Sequence, residues 1–130
     1  MILDSSAVVA IIRDEPGAEA LLRAVTDAES VSISAATFVE TCLVIDGRGD
    51  PVQSRLLDRL LQDQAVRTVD FTAQQARIAR EAFRDYGKGS GHPARLNLGD
   101  CYAYALAKDT GEPLLFKGDD FGHTDVRSAL

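Results

Sequence analysis

Sulfur and imidazole chemistry have little to work with in this chain, which carries two cysteines and two histidines in 130 residues. Cys42 and Cys101 each lie inside a helical pattern, with no CxxC pair and no histidine at zinc-ligand spacing. That leaves a zinc site almost without support, and both thiols read as small apolar filler rather than as a disulfide. His92 and His123 sit in glycine-rich loop or turn surroundings and read as solvated residues, not as catalysts. Basic charge is scarce too: 14 Lys and Arg against 20 Asp and Glu leave a net charge of −6. A protein that coats DNA by neutralising phosphates needs the opposite balance. No long apolar run is present. The opening "MILDSSAVVAII" has no basic stretch before it and is interrupted by Asp4. Neither a signal peptide nor a spanning helix is expected, so the reading is cytoplasmic, with no membrane partner. Linkers, internal repeats and low-complexity tracts are missing as well, which predicts one domain over residues 1–130.

What is there is a globular composition, 45% hydrophobic and 26% charged. "MIL" reads as a short buried strand ending at Asp4. "SSAVVAIIRDE" reads as a helix capped by Asp4 or Ser5, and "PGAEALLRAVTDA" as a second with Pro16 in its first turn. "SVSIS" alternates as a strand, and "AATFVETCLVID" is helical up to Gly47 and Gly49. "PVQSRLLDRLLQDQ" is amphipathic, its Leu56, Leu57, Leu60 and Leu61 serving the core or a dimer contact. Then come the strand "VRTVDF", the helix "TAQQARIAREAFRDYG", the flexible loop "GKGSGHPARLN", the helix from Leu98, the strand "PLLF" and the turn "KGDDFG". Strands separated by helices predict an α/β fold: a mostly parallel sheet covered on both faces, with ligands beyond the strand carboxyl ends.

Four acids fall near those ends. Asp4 follows the first strand, where Asp-Ser-Ser is also good capping chemistry. Glu40 lies mid-helix with Ala36, Leu43 and Val44 around it and no basic residue within seven positions. Asp100 sits three residues after a candidate cap, Asn97, in the apolar "LNLGDCYAYALAK". Asp119 and Asp120 follow "PLLF" in a glycine-containing turn. Each has an ordinary reading, as a cap, a solvated side chain or a turn acid. Their positions together allow all four regions to meet at one sheet edge. Carboxylates about 4 Å apart repel by roughly 4 kcal/mol per pair at an effective dielectric near 20. Such a cluster persists only with protons or cations, and an all-oxygen donor set selects Mg²⁺ or Mn²⁺.

"MILDSSA", "FVET", "LNLGDCYAYALAK" and "LLFKGDDF" with "TDV" resemble, in this order and at this length, the PIN-domain ribonucleases. The resemblance is strongest to the VapC toxins of type II toxin–antitoxin pairs. It implies a three-layer α/β/α sandwich and endonucleolytic cleavage of structured RNA, tRNA or rRNA, dependent on Mg²⁺ or Mn²⁺. Asp4, Glu40, Asp100 and Asp119 match the family's acidic quartet, which holds metal and is catalytic. Ser6 matches its supporting hydroxyl, and Asp120 is a lesser candidate. The resemblance further implies a cognate VapB-type antitoxin and a homodimer.

Arg77, Arg80, Arg84, Lys88 and Arg95, with His92 among them, form a local basic run opposed only by Glu81 and Asp85. They are candidate RNA contacts or simply a solvated helix face and loop. Two other functions remain open: a catalytically silent PIN-like binding module, and a phosphoacceptor receiver domain built on Asp70 and Lys117. Against the receiver, Asp4 is followed by two serines rather than a second acid, and Glu40 and Asp100 have no role in it.

Overall fold

The computed structural model describes residues 1–130. In chain order the elements are β1 (Ile2–Leu3), α1 (Ser5–Ile12), α2 (Ala18–Asp27), β2 (Ser32–Ser34), α3 (Ala35–Asp46), α4 (Pro51–Asp63), β3 (Arg67–Val69), α5 (Ala73–Tyr86), α6 (Leu98–Thr110) and β4 (Leu114–Leu115). A 3₁₀ turn, Asp120–His123, follows. The four strands form one parallel sheet in the order β3-β2-β1-β4.

Strand alternation divides the core into two layers. Ile2 and Leu114, partners across β1 and β4, face Ala79, Ala82, Leu106 and Phe121 on the α5–α6 side. Leu3, Leu115 and Ile33 face Val8, Leu21, Val25, Leu57 and Leu60 on the side of α1, α2 and α4. This is the expected three-layer sandwich. In α4, Leu57 and Leu60 are buried and Leu61 packs partly buried against the same cluster, so these three serve the core, while Leu56 is exposed.

Most helix starts are those the sequence predicts. Ser34, Asp50 with Pro51, Thr72, and the Asn97–Asp100 capping box open α3, α4, α5 and α6. Between α1 and α2 the expectation needs correction. Asp14 takes φ +50° after α1 ends, and Gly17 takes φ +90° as the cap of α2, so Pro16 lies in the turn and Ala18 begins the helix. The paired strands are also shorter than their apolar patterns. Ladder bonding stops where α1 and α3 begin, directly after Asp4 and Ser34.

The loop at 87–97 is tied rather than free. Lys88 N–H donates to the Leu96 carbonyl at 2.8 Å, Leu96 N–H donates to the Tyr86 carbonyl at 2.9 Å, and Ala94 and Leu96 are fully buried. His92 is likewise not simply solvated: its ring packs edge-on to Tyr86, and its Nδ1 accepts the Ala94 N–H at 3.2 Å. Cys42 and Cys101 are free thiols, and burial pushes Cys101 up to about 12. No helix is long and apolar enough to cross a membrane. The receiver alternative fails on topology, because β3 and β4 are opposite edges of the sheet. Three strand spacings, about 14 Å, separate the strands that lead into Asp70 and Lys117.

Candidate active site

Strand order reverses at β1, with β2 and β3 on one side and β4 on the other. In open parallel sheets a crevice forms outside the carboxyl ends at such a reversal. Asp4 enters it from β1. As the cap of α1, its Oδ2 accepts the Ser6 N–H at 2.8 Å and the Ser6 hydroxyl at 2.5 Å. The residue is fully buried, and Oδ1 has no partner. Burial is the main cause that pushes its pKa up to about 6; the Ser6 bonds oppose the shift and the Glu40 charge adds to it.

Glu40 comes from the middle of α3. It is half-buried, and its Oε2 also lacks a partner. Burial first and the Asp100 charge second raise its pKa, with the Ser5 hydroxyl opposing them. Asp100 is the third residue of α6. Its Oδ2 accepts the Asn97 N–H at 2.7 Å, while its own N–H donates to Asn97 Oδ1 at 2.9 Å. Burial, opposed by that Asn97 bond, and the charges of Asp4 and Asp120 push it up to about 6. Asp4, Glu40 and Asp100 thus feel one another's charge.

The fourth acid is less closely held. Asp119 is exposed, precedes the 3₁₀ turn and makes no capping bond. Asp120, also exposed, is the acid of this turn whose charge reaches Asp100.

Ser6 links the two strand exits. Its hydroxyl, which donates to Asp4, also accepts the Lys117 N–H at 3.0 Å. Lys117 Nζ in turn lies 2.6 Å from Glu15 Oε2. Neither this ion pair nor the approach of Glu40 to Gly99 was legible in the sequence. A Cβ built on Gly99 would lie 2.5 Å from Glu40 Oε2, and closer still to Oε1 and Cδ.

As placed, no three acidic, histidine or cysteine side chains stand close enough together to hold a metal ion. The donor set nonetheless fits a hard divalent cation. It is all oxygen, its acids carry raised pKa values, and two buried carboxylate oxygens, Asp4 Oδ1 and Glu40 Oε2, have no partner.

All five basic candidates are exposed. Arg77, Arg80 and Arg84 recur at helical spacing on α5, and Lys88 and Arg95 lie on the loop into α6. Arg84 is paired with Asp85 at 2.7 Å, whereas the other four make no ion pair. Arg80 lines an apolar groove with Phe71, Phe83, Leu98 and Tyr102, against the first turns of α6.

A PIN-domain family profile matches residues 1–127. Ribonuclease VapC42 of Mycobacterium tuberculosis is 55% identical over 129 residues, covering 99% of this chain and 98% of that protein. Among solved structures, Mycobacterium tuberculosis VapC20, described as a sarcin-ricin loop cleaving toxin, superposes with a TM-score of 0.75 at 16% identity, covering 96% of this chain and 95% of that one. A toxin–antitoxin complex from Klebsiella pneumoniae gives 0.69 at 18% identity, covering 95% and 92%. The two structures share the fold, and the sequence relative matches this chain over nearly its whole length. The chain belongs to the PIN-domain family, among the VapC ribonucleases.

Proposed function

We propose that this chain is the toxin of a type II toxin–antitoxin pair and cuts structured RNA, tRNA or rRNA, with Mg²⁺ or Mn²⁺ held by its acidic cluster. One observation carries the reading. Asp4, Glu40 and Asp100, from β1, α3 and α6, bear on one another's charge at the strand-order reversal, and two buried oxygens among them have no partner within the protein.

Asp4, Glu40 and Asp100 would hold the ion, with Asp119 or its neighbour Asp120 completing the set from the exposed turn. A bound divalent ion supplies charge stabilisation at a phosphate oxygen and a more acidic water. The protein's part is orientation. Ser6 fixes Asp4 through Oδ2 and leaves Oδ1 without a partner. Asn97 holds Asp100 Oδ2 in the same way, leaving its other oxygen free of the cap. No histidine or serine nucleophile is called on. Arg77, Arg80, Lys88 and Arg95 are free to meet phosphates approaching the start of α6, while Arg84 is already engaged by Asp85.

The partner in this reading is a cognate VapB-type antitoxin. Exposed Val39 and Leu43 flank Glu40 on α3 and, with Ala36, Val44 and Tyr102, line an apolar groove. A segment carrying apolar side chains and one basic group would satisfy both the groove and the acids. The reading also includes a homodimer.

The test is cleavage of total RNA by purified, antitoxin-free protein in Mg²⁺, in Mn²⁺ and in chelator, with Asp100→Asn alongside. Discrete fragments that need metal and vanish in the variant support the reading. Cleavage that persists in chelator, or in Asp100→Asn, sinks it.

A further inference from the structure

We propose that Gly99 is a positioning residue for the active site: the side chain it lacks is what admits the Glu40 carboxylate to the acidic cluster. The inference rests on the metal-nuclease reading for its purpose, and on geometry alone for its substance.

Gly99 occupies the second position of α6 and is buried. Its backbone is not in the left-handed region, so nothing in its own conformation requires glycine. A helix also forms less readily around glycine than around alanine. Two other glycines show what a purely steric requirement looks like. At Gly47 a Cβ would meet the Leu43 carbonyl oxygen at 2.6 Å, and at Gly87 it would run into the Phe83 carbonyl oxygen, both main-chain atoms of the preceding helix. At Gly99 the three nearest atoms all belong to one side chain from another helix, the carboxylate end of Glu40. Glycine is there because Glu40 is.

That side chain is flexible and only half-buried, so an added methyl group displaces it rather than the backbone. Displacement would carry the carboxylate off the first turn of α6, whose N-terminal dipole favours a negative charge, and away from Asp100 at the adjacent position. Gly99→Ala should therefore leave the fold intact and damage the site. This separates a positioning role from a packing role, in which loss of stability comes first.

The experiment is a double-mutant cycle read in two ways. First, melting temperatures of the metal-free wild type, Gly99→Ala, Glu40→Ala and the double variant measure the coupling between positions 99 and 40. In the Glu40→Ala background the alanine at 99 should raise the melting temperature, because helix propensity acts unopposed. With Glu40 present the gain should shrink or reverse. Equal shifts in both backgrounds overturn the proposal. If Gly99→Ala alone fails to fold, the double variant decides: recovery supports the clash with Glu40, and continued failure overturns it. Second, Mn²⁺ binding followed by calorimetry should weaken about 10–100-fold in Gly99→Ala, the scale seen when a group that orients a metal ligand is changed. Binding indistinguishable from wild type overturns the positioning role. If the wild type itself binds no Mn²⁺, the nuclease reading falls, while the thermal cycle still decides the contact between Gly99 and Glu40.

Discussion

Asp4 is fully buried, is bonded through one oxygen and has no partner at the other. Burial pushes its pKa up to about 6, which corresponds to roughly 3 kcal/mol between its ionised and neutral forms. Asparagine keeps the shape and the acceptor for Ser6 but removes the charge. We expect Asp4→Asn to abolish cleavage and yet to raise the melting temperature of the metal-free protein by several degrees at pH 8. Differential scanning calorimetry in chelator checks this; an unchanged or lower melting temperature contradicts a crowded, uncompensated cluster. Asp100→Asn should act in the same direction. Its gain should be smaller, because the capping bond from the Asn97 N–H is strongest to a full negative charge.

At the level of elements, α6 carries the site at one end and the fold along its length. Its capping box holds Asp100, while Cys101, Ala103, Ala105, Leu106 and Ala107 fill the core behind it. Further along, the Tyr104 hydroxyl donates to Asp125 at 2.5 Å, and Lys108 reaches the same carboxylate at 2.9 Å. This pair ties the chain's last segment to the helix, away from the acidic cluster. Tyr104→Phe keeps the buried ring and removes only the donor. It should lower unfolding free energy by about 1–2 kcal/mol in urea titration while leaving the rate of RNA cleavage unchanged. A large loss of cleavage would mean that the C-terminal segment contributes to the site.

The elements were mostly legible in the sequence because their caps and periodicities are local. Asn97 with Asp100 spells a capping box, and Asp4-Ser-Ser spells a helix start. What escaped depends on proximity between distant segments. Nothing near Gly99 in sequence announces that a carboxylate from α3 occupies its missing Cβ position. The Lys117–Glu15 pair joins the exit of β4 to the turn after α1. The segment that carries Asp119 and Asp120 runs through Gly118 at φ +103° into a 3₁₀ turn, a backbone path that apolar spacing does not encode. Asp14 and Gly17 broke the α1–α2 pattern through positive φ angles that apolar spacing does not encode.

The whole molecule carries a net charge of −6, so RNA must approach against the average field through local basic groups. Arg80, Lys88 and Arg95 are exposed and unpaired, but Arg84 is occupied by Asp85. Replacing Arg80, Lys88 and Arg95, three of the four unpaired residues of the basic run, with alanine should raise KM for RNA with little change in kcat. The log–log salt dependence of binding should become shallower by roughly 0.7–0.9 for each phosphate that is no longer neutralised. Arg84→Ala should leave that slope unchanged. A triple variant with the wild-type slope would return the basic run to the status of a solvated face.

The same acids set how stability responds to pH. Asp4 and Asp100 have folded-state pKa values of about 6, above the usual carboxylate value of 3.8. Between those limits the folded protein holds protons that the unfolded chain has released, so stability falls as pH rises from about 4 to about 6. Above that window both groups are ionised in both states and their contribution is flat. Glu15, Asp85 and Asp125 have lowered pKa values and act with the opposite sign, losing stability as the pH drops. The difference between wild type and Asp4→Asn cancels these three and leaves the contribution of Asp4 with its coupling to the neighbouring acids. That difference should grow as the pH climbs from 4 through 6 and then level off. Mn²⁺ should reverse it in the wild type, because metal binds the ionised carboxylates and competes with protons at low pH. At 100 times its dissociation constant the ion adds about 2.7 kcal/mol of stability. The gain should therefore be large at pH 7.5, small at pH 5, and much reduced in Asp4→Asn at both. A Mn²⁺ shift of equal size at the two pH values would place binding on groups other than this cluster.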